Sequence, residues 1–268
     1  MVATQIAEKY VDLSHGRTRY FEAGTGHPTI LLHGVGYTAG GDSFAMSLAP
    51  LASKLRVIAP DALGWGTGDR VDIDYSFELL VDWVRELQDA LGLKSSHIVG
   101  HSMGGWLASL FAYESPERVD KLVLVASGGT ATRTLASMTQ FSPPPAERIR
   151  ADFEARMNAP GMDMKKIVDE RVEVAAKPEN VAAYQRIMNN MNNPATRLHY
   201  NTLRRLPMIK APTLVLWGSN DQTNALELGQ KTAELVPNSK LVVLDGIGHM
   251  VPNEAPDQFT RALLDFLD

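Results

Sequence analysis

Gly100-His101-Ser102-Met103-Gly104-Gly105 follows the apolar run His97-Ile98-Val99 and leads into Trp106-Leu107-Ala108-Ser109-Leu110-Phe111-Ala112, a segment of helical character. A serine between glycines, at a strand end and a helix start, fits a nucleophile elbow. Such a turn forces strained backbone angles on its central residue, and glycines two residues away on either side leave room for it. The helix that follows brings a positive dipole end and free backbone N–H groups close to the hydroxyl. The pattern GxSxG recurs by chance, so its partners decide what it means.

Around the elbow the chain alternates two rhythms. Pro28-Thr29-Ile30-Leu31-Leu32, Leu55-Arg56-Val57-Ile58-Ala59, His97-Ile98-Val99 and Lys121-Leu122-Val123-Leu124-Val125 are short apolar runs suited to parallel strands buried on both faces. Between them, Leu80, Val81, Val84, Leu87 and Leu91 recur at helical spacing, and Gly92 supplies a stop. Strands alternating with helices predict an α/β fold with a mostly parallel central sheet and helices on both faces. Tyr10–Leu13 and Arg17–Glu22, around Ser14-His15-Gly16, predict a hairpin at the sheet edge. After Ser127-Gly128-Gly129 and the rigid Ser142-Pro143-Pro144-Pro145, helices alone are predicted: Ile149–Met157, Met164–Ala176, Asn180–Asn192 and Thr196–Leu206. Strand Thr213–Trp217 then resumes the first rhythm, with helix Ala225–Val236, strand Lys240–Leu244 and helix Pro256–Leu267. The expected organisation is a core of residues 1–127 and 209–268 carrying a helical cap of residues 128–208. Seven of the eleven methionines fall in or beside that insertion: Met138, Met157, Met162, Met164, Met188, Met191 and Met208. They read either as packing filler or as an adaptable apolar pocket lining.

Serine needs a neutral imidazole to take its proton, an acid to orient that imidazole, and donors for the developing oxyanion. Thr213–Trp217 ends in Gly218-Ser219-Asn220-Asp221, and Lys240–Leu244 ends in Asp245-Gly246-Ile247-Gly248-His249. Ser102, Asp221 and His249 therefore each lie just beyond a different strand, where open α/β sheets place their ligands. The glycine-rich turn His33-Gly34-Val35-Gly36 offers one oxyanion amide, assigned to Val35 with Gly36 beside it. The amide of Met103, after the nucleophile, is the other.

Along nearly its whole length the chain resembles the α/β-hydrolase fold family. The motifs matching in order are His33-Gly34 after a strand, Asp61-Ala62-Leu63-Gly64-Trp65-Gly66-Thr67-Gly68, the serine elbow, Trp217-Gly218-x-x-Asp221 and Gly248-His249. The helical insertion sits where that family carries its cap. Within the family the chain looks like the meta-cleavage-product hydrolases, which split carbon–carbon bonds in ring-opened aromatic catabolites. Ala39-Gly40-Gly41, the Ser127-Gly128-Gly129 exit and Arg171 with Pro178-Glu179 carry that likeness. By that resemblance Arg171 pairs with a substrate carboxylate; an exposed helical arginine is the plainer alternative. The chain departs from those enzymes at Gly36-Tyr37-Thr38, Phe44, His101 and Met250. The expected activity is accordingly a serine hydrolase cleaving an ester or lactone through an acyl-enzyme, with the carbon–carbon hydrolase as the alternative. The candidate pocket residues are His33, Gly34, Tyr37, Phe44, His101, Trp106, Arg171 and Met250.

Two remote alternatives belong to other classes. Gly34-Val35-Gly36-Tyr37-Thr38-Ala39 formally fits a dinucleotide fingerprint, which suggests a nucleotide-dependent oxidoreductase. A non-catalytic ligand receptor on the same fold is the second. The net charge of −5 argues against nucleic acid, and no apolar run reaches the ~20 residues a membrane span requires. Absence of cysteine excludes disulfides and thiolate catalysis. His15, His27, His97 and His199 look scattered singly, so neither metal nor cofactor is expected. The first residues lack a signal-peptide design, so the expected location is the cytoplasm, the partner a small-molecule substrate; a homodimer stays open.

Overall fold

The computed structural model describes residues 4–131 and 141–268. Its eight strands are β1 (Ala7–Leu13), β2 (Gly16–Ala23), β3 (His27–Leu32), β4 (Leu55–Pro60), β5 (Ser96–His101), β6 (Val119–Val125), β7 (Thr213–Gly218) and β8 (Ser239–Leu244). They form one sheet in the order β1-β2-β4-β3-β5-β6-β7-β8. The β1–β2 hairpin joins β4 antiparallel, and every later pairing is parallel. Successive side chains alternate between faces. Ile30, Ile98, Leu122 and Leu124 therefore enter one core, while Leu31, Val99, Val123 and Val125 enter the other.

Each face is closed by helices whose apolar residues recur at helical spacing. On the first, α2 (Phe77–Ala90) starts where the Ser76 hydroxyl accepts from the Leu79 amide, and buries Leu80, Val84 and Leu87 beside α3 (Met103–Glu114). On the second, α1 (Ala45–Leu51) packs against α10 (Pro256–Leu267) through Leu48, Phe259 and Leu263. The short α9 (Val251–Glu254) precedes α10, and α8 (Leu226–Leu235) lies on β7.

Between β6 and β7 the described residues contain helices only: α4 (Ala146–Asp152), α5 (Met164–Ala175), α6 (Pro178–Asn192) and α7 (Pro194–His199). Two expected helices are interrupted. Thr196–Leu206 is broken because Asn201 turns its side chain on the backbone, accepting from the Leu203 amide and donating to the Thr130 carbonyl. Ile149–Met157 gives way after Asp152 to a 3-10 turn at Glu154–Arg156, which carries Arg156 toward the core.

Candidate active site

The turn from β5 into α3 holds Ser102 at φ 54°, ψ −113°, a left-handed conformation that costs a non-glycine residue of order 1–3 kcal/mol. Surrounding hydrogen bonds impose it: the Ser102 amide donates to Val125, and its carbonyl accepts from Trp106 and Gly128. Glycines are needed because a Cβ at Gly100 would collide with the Gly104 carbonyl, and one at Gly104 with the Leu32 carbonyl. The hydroxyl thus stands at the carboxyl end of β5.

His249 and Asp221 reach it from the loops after β8 and β7. His249 Nε2 lies 3.0 Å from Ser102 Oγ, and Nδ1 lies 2.8 Å from Asp221 Oδ2. The other Asp221 oxygen accepts from the Thr223 and Asn224 amides, both at 2.8 Å. Burial alone pushes the Asp221 carboxyl up, but the His249 contact and these amides outweigh it and hold it below the usual range. An ionised Asp221 accepts only, so Nδ1 carries the proton and the Nε2 lone pair faces the hydroxyl. Glu254 fixes the loop on both sides of His249 by accepting from the Gly248 and Met250 amides at 2.8 Å.

Two cavities meet at Ser102. One, of about 440 Å³, is lined by Met103, Trp106, Gly129, Met191 and Leu228. The other, of about 490 Å³, is lined by Gly34, Ser43, His101, Arg156, Met250 and Asn253. Val35 and Ser102 border both. Met103 is the first residue of α3, whose leading amides have no acceptor inside the helix. A carbonyl bound at Ser102 would lie among these groups, with substituents passing into either lobe.

Residues 29–262 match the model of the alpha/beta hydrolase family. The chain belongs to that family. It is 34% identical to the 2-hydroxy-6-oxo-6-phenylhexa-2,4-dienoate hydrolase of Burkholderia cepacia, over 95% of this chain and 92% of that protein. It is 32% identical to the 2-hydroxy-6-oxononadienedioate/2-hydroxy-6-oxononatrienedioate hydrolase of Comamonas testosteroni, over the same shares. The solved 2-hydroxy-6-oxo-6-phenylhexa-2,4-dienoate hydrolase of Rhodococcus sp. strain RHA1 superposes with a TM-score of 0.82 at 28% identity, covering 98% of both chains.

Not every expected pocket residue of this alpha/beta hydrolase faces the cavities. Gly34, Gly36, His101 and Met250 line one and Trp106 the other, while Val35 borders both. His33 instead is buried as a brace, its Nε2 accepting from the Ala62 amide and its Nδ1 donating to the Gly34 carbonyl. Tyr37 is turned away, donating to the Ala175 carbonyl and packing on Phe141 and Tyr184. Phe44 is buried against Phe259 between core helices. Of the methionines, Met191 lines a cavity, Met164 and Met188 are core, Met157 and Met208 are exposed, and Met138 lies outside the described residues.

Arg171 is the largest correction. It is neither exposed nor on the wall of the two cavities at Ser102, but buried in an ion cluster that joins the inserted helices to the core. Its Nη2 bonds Asp42 and reaches Asp61 at 3.0 Å; Arg19 Nε bonds Asp61 at 2.9 Å, and Arg156 Nη1 bonds Asp42 at 3.1 Å. Burial would raise Asp61, yet Arg171 and Arg19 dominate and hold it far below the normal carboxylate range. Sequence could not reveal the cluster, because its members lie up to 152 positions apart, from Arg19 to Arg171.

Two further expectations change. Gly34–Ala39 runs as a loop, and the first helical turn begins only at Gly41–Phe44, so the segment lacks the glycine turn opening straight into a helix that a dinucleotide site requires. His27 and His97 are not isolated: their rings lie 4.2 Å apart at the amino ends of β3 and β5, and His27 Nε2 is 2.8 Å from Asp120. Among the described residues no helix is long and apolar enough to cross a membrane.

The buried histidines predict acid sensitivity. Burial, followed by the neighbouring His249, pushes His101 down to about 3, and burial likewise lowers His33. An unfolded histidine binds a proton below about pH 6.5, whereas folded His101 does not until near pH 3. Its contribution is therefore full above pH 6.5 and is lost as pH falls, by roughly 2 kcal/mol at pH 5. Urea unfolding at pH 8 and pH 5 measures this; equal stabilities would contradict it.

Proposed function

We propose that this alpha/beta hydrolase cleaves the carbon–carbon bond beside the 6-oxo group of a 2-hydroxy-6-oxo-2,4-dienoate, with the inserted helices as a cap over the site. The observation carrying this is the two-lobed cavity with Ser102 at its junction. A ketone flanked by two sizeable substituents needs room on both sides of the nucleophile. The full-length similarity to dienoate hydrolases supports the same choice over an ester or lactone.

A bare carbanion is too poor a leaving group for acyl transfer, so the dienol must first move its hydroxyl proton to C5. The resulting 2-oxo group is conjugated through C3 and C4 to C5. Ser102 then adds to the C6 carbonyl while His249 takes its proton and Asp221 stabilises the imidazolium. The Val35 and Met103 amides are the donors for the oxyanion, each such donor typically worth ~3 kcal/mol in the transition state. Collapse breaks C5–C6; the electron pair passes through the conjugated chain to the 2-oxygen, which takes the proton back from His249. Water, deprotonated by His249, hydrolyses the acyl-Ser102 ester. The sum is substrate plus water giving a 2-hydroxy-2,4-dienoate and a carboxylic acid.

The test is turnover of 2-hydroxy-6-oxo-6-phenylhexa-2,4-dienoate, followed by loss of its absorbance and by chromatography. Benzoate and 2-hydroxypenta-2,4-dienoate are the expected products. Rapid hydrolysis of p-nitrophenyl esters with no cleavage of dienoates would overturn the assignment in favour of an esterase.

A further inference from the structure

At the pole of the sheet opposite Ser102, three side chains with metal-ligating atoms meet. His27 opens β3, His97 is the second residue of β5 and Asp120 the second of β6, and these strands are neighbours. One ring nitrogen of each histidine and one Asp120 oxygen lie within 4.8 Å of one another, a grouping found nowhere else among the described residues.

Strand geometry explains the meeting. His27 and His97 have the parity of Leu31 and Val99, so they project to the face that α10 covers. Asp120 shares the parity of Leu122 and in a regular strand would point to the opposite face. The β5–β6 register slips at this end: Ser96 pairs with Val119 but Ile98 with Leu122, which sets both Asp120 and Lys121 against His97. An extra residue in a strand re-aims its side chains. This one brings the Asp120 carboxylate to within 2.8 Å of His27 Nε2.

A second observation comes from His97. It is only 5% exposed and packs ring to ring on His27 at 4.2 Å, and its Nδ1 is buried without a hydrogen-bond partner. Buried polar atoms almost always find a partner, and a metal ion supplies the one missing here. The neighbouring Lys121 ammonium is taken up by the Phe266 and Leu267 carbonyls at 2.9 and 3.2 Å. The side chains of His27 and Asp120 are 48% and 34% exposed, so the members that must adjust can rotate while the buried one is fixed. Tetrahedral ligands around zinc stand roughly 3.3 Å apart, and the widest separation closes to that by no more than about 1.5 Å.

We propose that His27, His97 and Asp120 bind one divalent transition-metal ion, zinc(II) by ligand set, with water completing its shell. Two imidazoles and a carboxylate suit zinc, whereas calcium and magnesium prefer oxygen alone. Zinc takes the place of the proton that His27 shares with Asp120, so binding releases one proton to solvent. The ion clamps the amino ends of β3, β5 and β6. It takes no part in hydrolysis, because Ser102 stands past the other end of β5, roughly 17 Å along the strand from His97.

The experiment titrates the chelator-treated full chain with zinc chloride by calorimetry, in a His249→Ala background so that the triad does not compete for metal. One equivalent is expected to bind with a Kd of about 100 μM or tighter. Cobalt(II) in its place gives visible d–d bands, and saturating zinc raises the Tm by several degrees. His27→Ala and Asp120→Asn each weaken zinc binding at least about tenfold and remove the Tm rise. Both positions are solvent-facing, so these variants fold and decide the matter even if buried His97→Gln does not. A Kd weaker than about 100 μM, or a loss below about tenfold in either surface variant, overturns the site.

Discussion

If the protein cleaves dienoates as proposed, Ser102→Ala lowers that rate by about 10⁶-fold and leaves the fold intact. The size follows from covalent catalysis: without the hydroxyl no acyl-enzyme forms, and His249 and Asp221 have nothing to activate. Little stability is at stake, since among the described residues the Ser102 side chain hydrogen-bonds only His249, and the φ of 54° is set by backbone hydrogen bonds that alanine retains. The check is single-turnover kinetics beside a thermal melt, with a fluorophosphonate probe that labels wild type alone. A variant keeping more than a hundredth of the rate would falsify the mechanism.

The largest loss of stability is expected elsewhere, at Asp61→Ala. Asp61 accepts from Arg19, Arg171 and the amides of Gly41 and Thr67, at 2.9 to 3.0 Å. Removing it leaves three buried guanidiniums around Asp42 and two amides unpaired. Breaking a buried pair by deleting one partner typically costs 3–5 kcal/mol, and each orphaned donor adds to that. Urea denaturation should show at least about 4 kcal/mol lost, or no folded protein at all. A loss below 1 kcal/mol would mean that water reaches the cluster and screens it.

The fold was legible because its signals are local. Three apolar runs, each followed by glycine or aspartate, mark the strand ends where Ser102, Asp221 and His249 stand, and chain order supplied the rest. Side chains whose partners are remote were not legible. Arg171 and Arg156 lie in helical segments rich in charge, where an arginine ordinarily faces water, and nothing within a turn of either reveals Asp42 or Asp61. Phe44 and Tyr37 follow the glycine-rich loop as pocket residues would, but the loop's path turns one into the core and the other toward Ala175. Glu254 was missed for a similar reason: five residues after His249, it reads as an ordinary first-turn helix acid until the loop folds back onto it.

Placing Ser102 at the neck between the lobes has a kinetic consequence. In the proposed reaction the two fragments rest, after cleavage, in separate compartments, one still esterified to the serine. Water attacking that ester must come from the side the enol fragment has vacated. Departure is therefore sequential, and the acid released last is the product that competes with substrate for the empty enzyme.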